Sequence, residues 1–116
     1  MVEHLNWSKS ERAIALKAFN AAYEQECAGI LEELRKRVAA MDDSSKIWRI
    51  NDYLWKKRRE IDDKYDFRGS VLVEVLSRLI YEEWITLDDL QGLRQDKIDV
   101  ISRFLSFFDE VSSSED

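Results

Sequence analysis

The chain has 116 residues, of which 45% are hydrophobic and 36% charged, with no proline, three glycines and a net charge of −6. That length and balance describe one folded domain, or one domain with an extended arm, and not a disordered chain. An acidic chain disfavours broad nucleic-acid binding, and no apolar run approaches the roughly 18 residues of a membrane span.

So few helix breakers predict an all-α fold. Residues 1–7 are expected to be disordered. Ser8 followed by Glu11 fits a capping box and opens a first helix that runs to about Met41. Phe19, Tyr23, Ile30, Leu34 and Met41 mark its apolar side. A helix of that length is a rod of about 50 Å, long for so small a domain, and implies an arm that a second chain covers. Asp42-Asp43-Ser44-Ser45 combines a turn with a cap. The second helix, about Lys46 to Tyr65, then returns antiparallel to the first because the connection is short. After a break at Phe67-Arg68-Gly69, a third helix from about Ser70 to Glu83 buries Val71, Leu72, Val75, Leu76, Leu79 and Ile80, with Glu74 facing outward. Thr86 with Asp89 caps a short turn that stops at Gly92. The last helix spans about Gln95 to Phe108 with Ile98, Ile101, Leu105 and Phe108 inward, and the acidic tail 110–116 is expected to be disordered. The expected architecture is a long antiparallel helical hairpin arm over 8–66 and a small helical head over 67–109 with its own core, assembled as a homodimer.

Catalytic chemistry finds no footing. The single histidine is His4, near the chain start, so no Ser–His or Cys–His pair has a credible base. The single cysteine, Cys27, cannot form an internal disulfide and reads as a structural thiol. There is no Cys/His cluster for zinc and no glycine-rich phosphate cradle. Asp62-Asp63 and Asp88-Asp89 read as solvated faces or caps and not as metal ligands. Lys56-Lys57-Arg58-Arg59 lies among Asp52, Glu60, Asp62 and Asp63, so it is a mixed-charge face. No catalytic residue, metal or cofactor is assigned. Without a basic segment leading into an apolar core at the N-terminus, the expected location is cytoplasmic.

The informative stretch is Ile47 to Arg68. Ile47, Ile50, Leu54, Ile61 and Tyr65 form an apolar stripe at helical spacing. Arg58 breaks that stripe. Beside it runs a row of Trp48, Asp52, Trp55 and Asp62. The tryptophans could be core residues, Asp52 could pair with Lys56 and Arg58 with Asp62, each pair worth a few tenths of a kcal/mol, and Arg58 could lay its stem on the stripe and reach water. Their co-location favours a contact surface, since tryptophan and arginine dominate binding hot spots. Asp52 and Arg58 are six residues apart, about 120° around one helix. A two-fold axis crossing two antiparallel copies near Trp55 would bring Asp52 of one copy to Arg58 of the other.

Trp48, Asn51, Asp52 and Arg58 in the pattern W-x-x-N-D-x-x-x-x-x-R, followed by EIDDKYDFRGSVL over 60–72, resemble the cyanobacterial fluorescence recovery protein family. The resemblance spans about Trp7 to Ile101. It includes Glu83-Trp84-Ile85-Thr86-Leu87-Asp88-Asp89-Leu90-Gln91-Gly92-Leu93 and the pair Asp96-Lys97. The family usually carries histidine where this chain has Asn51, and often an aromatic residue where it has Glu74. The resemblance implies an all-helical homodimer without enzymatic activity. Such a dimer binds the C-terminal domain of the photoactivated orange carotenoid protein, speeds its red-to-orange return and helps detach it from the phycobilisome. It also implies action in the cytoplasm, at the thylakoid periphery. Partner contacts would fall on Trp48, Asn51, Asp52, Trp55, Arg58 and Glu74. From the apolar stripe and the two-fold crossing, and not from the resemblance, the dimer interface is expected on Ile47, Ile50, Leu54 and Arg58. Two alternatives stay open: a related helical dimer serving a different protein partner, and a structural adaptor.

Overall fold

The structure, a computed structural model, describes residues 5–114. Every regular element among them is helical: α1 Lys9–Ala39, a 3-10 turn Ser44–Lys46, α2 Ile47–Lys64, α3 Leu72–Tyr81, a second 3-10 turn Leu87–Leu90, and α4 Gln95–Ser114. The molecule measures 54 × 36 × 22 Å, with α1 as its long axis element.

The first turn of α1 begins as a capping box. The Glu11 N–H donates to Ser8 Oγ at 3.1 Å, and the Ser8 N–H donates to Glu11 Oε1 at 3.1 Å. Glu11 then does a second task. It is buried, and its other oxygen accepts the backbone N–H of Arg94 at 2.9 Å. The buried ammonium of Lys97 lies 3.1 Å from Oε1. That ammonium also donates to the carbonyl of Asn6 and sits 5.5 Å from the Trp7 ring centroid. Residues 83 and 86 positions after Glu11 are thereby tied to the first turn. Burial pushes the Glu11 carboxyl up, but the backbone donors of Arg94 and Ser8, with Lys97, outweigh it and hold it at about 2.

Above that tie lies the core. Leu72, Leu76 and Leu79 of α3, Ile85, Leu90, Leu93 and Ile101 of α4 pack against Ala15, Ala18 and Ala22 of α1. The head, 67–109, expected to close on a core of its own, therefore does not do so. Its core is completed by the N-terminal half of α1, because a row of alanines lets a helix lie close against its neighbours. The C-terminal half of α1 carries α2. The Arg37 guanidinium lies 4.0 Å over the Tyr53 ring and Lys64 meets Glu26; nearer the start of α1, Phe19 meets Phe67, just past α2, edge-on at 5.2 Å. Positions fall along α1 as they rise along α2, so the pair is antiparallel as expected.

Three boundaries differ from the sequence expectation. Leu5 and Trp7 pack against the core and are not frayed; residues 1–4 lie outside the described range. α3 stops at Tyr81, where Glu83 adopts φ 67° and the N–H groups of Trp84 and Ile85 return to the Leu79 carbonyl. α4 continues through Ser114, six residues past its expected end and into the tail expected to be disordered. Phe108 stacks on Phe104 and tilts against Tyr81, and Tyr81 Oη is hydrogen-bonded to Ser112 Oγ. These contacts with α3 hold the extension.

Two outcomes follow. Because folding lowers the Glu11 pKa from 4.5 to about 2, its stabilising contribution is complete above pH 4.5 and is lost as pH falls toward 2. The melting temperature of wild type should fall more steeply across that window than that of Glu11→Gln; parallel curves would contradict the assignment. Gly92→Ala places a Cβ 2.6 Å from Ile14 Cδ1 at a φ of 108°, and should cost about 2 kcal/mol in chemical denaturation.

Candidate functional site

The side chains that α2 turns toward α1 are Tyr53, Lys57, Ile61 and Lys64. Ile61 and Lys64 are buried, and Tyr53 stacks with Arg37. The inward row thus contains a lysine where an apolar residue would be expected. Lys64 Nζ lies 2.7 Å from Glu26 of α1 and 2.6 Å from Glu82 just past α3. Tyr65 Oη donates to Glu26 at 2.9 Å, and Arg78 holds the other oxygen of Glu82 at 3.0 Å. Burial and then Glu26 push the Tyr65 phenol up. Burial also raises the Glu82 carboxyl, but Lys64 and Arg78 outweigh it, and the net shift is downward. This cluster joins arm to head and was not anticipated from the sequence. Its signal was the lysine three positions after Ile61, a break in the stripe of the same kind as Arg58.

With Lys57 taken as the direction of α1, the remaining positions follow at 100° per residue. Ile47 and Leu54 lie about 60–80° round the helix, Arg58 about 100° and Asn51 about 120°. Trp55 and Trp48 lie at about 160–180°, directly away from α1, with Asp52 just beyond them. The exposures agree: Trp48 is 69% exposed, Trp55 61% and Ile47 50%. Ile50 is half-buried toward α1, and Asn51, Asp52, Leu54 and Arg58 are exposed. The two tryptophans are therefore outside the core, and the Arg59 guanidinium lies 4.8 Å over the Trp55 ring. Arg58 pairs with Asp62 at 3.4 Å on the surface, one of the two local pairings foreseen. The other, Asp52 with Lys56, does not form; Asp52 has no ion pair among the described residues.

Two clefts flank the hairpin on opposite sides. One, of about 320 Å³, is lined by Phe19, Asn20, Tyr23, Ile61, Asp62 and Tyr65. It opens on the side of Arg58, since Arg58 and Asp62 share a helix row. Leu16, Tyr23, Leu31 and Val38 are the exposed large apolar residues of α1, and Ile47 and Leu54 join them from α2. The second cleft, about 380 Å³, is shielded by Trp84 of the head and lined by Glu26, Glu33, Arg37, Tyr53 and Lys57. Glu74 stands apart from all of these on α3, exposed as expected, in a groove of about 440 Å³ with Tyr81 and Phe107. Cys27 is a half-buried free thiol. Among the described residues no cluster of His, Cys, Asp and Glu could hold a metal.

Trp48→Ala and Trp55→Ala, removing exposed rings, should each change stability by less than about 0.5 kcal/mol. Ile61→Ala, removing a buried side chain, should cost about 2–4 kcal/mol. Equal losses in denaturant melts would place the tryptophans in the core instead.

Known proteins share this arrangement. A family described as "Photoprotection regulator fluorescence recovery protein" matches residues 7–104. The fluorescence recovery protein of Synechocystis sp. is 34% identical over 91 residues, covering 78% of this chain and 84% of its own. The solved structure of the Fremyella diplosiphon fluorescence recovery protein superimposes with a TM-score of 0.79 at 40% identity, covering 85% of this chain and 97% of that one. The Synechocystis structure gives the same TM-score and coverage at 32% identity. The length of the match, the identity and the shared fold agree: this chain belongs to the fluorescence recovery protein family of photoprotection regulators.

Proposed function

We propose that the protein is a non-enzymatic homodimer that binds the photoactivated orange carotenoid protein through the latter's C-terminal domain. Binding accelerates the red-to-orange return and helps detach the carotenoid protein from the phycobilisome. The work is catalysis of a conformational change by differential binding, without a covalent step. It takes place in the cytoplasm, at the thylakoid periphery. The observation that carries this reading is the outward row of Trp48 and Trp55, 69% and 61% exposed. Together with Asn51, Asp52 and Arg58 they form a surface the fold itself does not use, in a chain of this family. No described helix is long and apolar enough to cross a membrane.

Dimerisation is supported by the apolar side of the hairpin. Leu31, Val38, Ile47 and Leu54 are exposed together there, beside half-buried Ile50, and an isologous contact would cover them twice. Arg58 lies on the same flank. Its exposed pair with Asp62 is worth only a few tenths of a kcal/mol, so exchanging Asp62 for Asp52 of a second copy costs little. A different partner remains the second reading. Asn51 and Glu74 are both exposed and polar, and they are positions where a partner surface built for an aromatic or imidazole ring would gain nothing.

Mixing the protein with photoactivated orange carotenoid protein should speed recovery of the orange absorbance several-fold. An unchanged recovery rate rules out the first reading in favour of the second. Ile47→Glu should yield monomers in light scattering at micromolar concentration, because it puts an unpaired charge into an apolar contact. A wild type that is itself monomeric there would refute the dimer. Asp52→Ala and Arg58→Ala should each weaken dimerisation, with the double variant no worse than either single one. Strictly additive losses would mean the two side chains do not meet.

A further inference from the structure

Three bodies meet at Lys64: α1, α2 and the head. Two of their three joins are made by several groups. α1 is joined to the head by the alanine row and by Glu11 with Lys97, and to α2 by Arg37 over Tyr53 and by Glu26 with Lys64. The third join, α2 to the head, is narrow. Among the described residues, the bond of Lys64 Nζ to Glu82 at 2.6 Å is the only hydrogen bond or ion pair between them. Beside it the two are parted by the open cleft of about 380 Å³, lined by Tyr53 and Lys57 of α2 and by Trp84 of the head. The bond itself is firmly held. Lys64 is buried, and the second oxygen of Glu82 accepts from Arg78 Nε at 3.0 Å. Glu82 caps α3, and the next residue, Glu83, turns the chain at φ 67°, a region that favours glycine. A residue other than glycine persists there because its surroundings fix it.

We infer that Lys64 and Glu82 are positioning residues: they hold the Trp48–Trp55 surface of α2 at one angle to the head, and the rate of partner conversion depends on that angle. Lys64 lies on the α1 side of its helix, opposite the tryptophans, so it acts on a partner bound there only through the position of α2. The physical basis is closure. Three bodies joined pairwise make a rigid triangle, and removing the one direct tie between α2 and the head leaves a hinge at α1 with an open cleft to move into. A partner seated on the tryptophans finds the head in a fixed place while the tie holds, and in a range of places once it is gone. Fixed placement lowers the cost of reaching the productive arrangement. The inference rests on the partner reading above and deepens it, because it adds a geometric requirement set by residues outside the tryptophan surface.

The test follows angle and activity in three forms of the full chain: wild type, Glu82→Ala and Glu82→Gln. Spin labels at Lys56→Cys of α2 and Asp109→Cys of α4, both exposed positions, report the distance from arm to head without the partner. Each form carries Cys27→Ser for labelling and is diluted into excess unlabelled protein. Wild type should give one narrow distance distribution and Glu82→Ala a broad one. Glu82→Gln, whose amide oxygen still accepts from Lys64, should be narrow again. Melting temperature and dimer mass should stay close to wild type, because Glu82 is partly exposed and Lys64 keeps Glu26. With photoactivated orange carotenoid protein, Glu82→Ala should lower the maximal recovery rate about fivefold and shift the half-saturating concentration by less than about twofold. Glu82→Gln should restore the rate. An unchanged distance distribution in Glu82→Ala overturns the proposal whatever the partner. So does a broadened distribution with an unchanged maximal rate, or a rate that Glu82→Gln fails to restore along with the distance. No acceleration by wild type overturns the partner reading and with it the use made of the angle, while the distances show separately whether Glu82 sets that angle. If Glu82→Ala melts well below wild type, Glu82→Ser, too short to reach Lys64, takes its place under the same criteria.

Discussion

The structure depends on one helix serving two neighbours at once. α1 is continuous from Lys9 to Ala39, and its two ends are committed to different packing. The N-terminal half presents Ala15, Ala18 and Ala22 to the helices of the head. On another face and farther along, α1 presents Glu26 and Arg37 to α2, and Phe19 and Tyr23 to Tyr65 just past the end of α2. Alanine gives close approach without filling space, and the larger residues give contact across a wider gap. Because no break separates the two halves, the arm and the head are set relative to one another by the stiffness of a single helix.

Two buried lysines reinforce that setting, and both are fully engaged. Lys97 ties the start of α4 to the first turn of α1 through Glu11, and Lys64 ties the end of α2 to Glu26 and Glu82. Such pairs contribute little net stability against an apolar replacement of the same shape. What they add here is geometry: each demands one arrangement of three chain segments, since any slip would leave a charge buried without its partner. In contrast, the charges of the outer α2 surface are exposed and locally paired or unpaired. That is the condition in which charges remain available to another molecule.

The helices and the antiparallel arm were legible in the sequence because their signals are local. The Ser8–Glu11 box, the Asp43 cap and the Thr86–Asp89 box are all formed, as Ser8, Asp43 and Thr86 announce. The outward tryptophans were legible as a conflict with the stripe beside them. The alanine row was not, because alanine marks a strong helix former whether it is buried or exposed. Nor were Lys64 and Lys97, whose carboxylate partners lie 38 and 86 residues away along the chain. Nothing near either lysine in sequence distinguishes it from a solvated one. The end of α4 departs from the sequence expectation for a related reason. Ser112, Ser113 and Ser114 are weak helix formers, but aromatic contacts with α3 and the bond to Tyr81 override that weakness.

The unbroken α1 also has a mechanical meaning. From Ala18, where the head is gripped, to Val38 near the arm tip is about 30 Å of helix at 1.5 Å per residue. A rotation of about 10° at the alanine row would carry the tip sideways by about 5 Å on that lever. A rotation forced by a contact on the head would therefore be enlarged at the far end of the arm, and a clamp at the arm tip would restrain the head with corresponding leverage. The Lys64 cluster, which joins arm to head, opposes such a rotation.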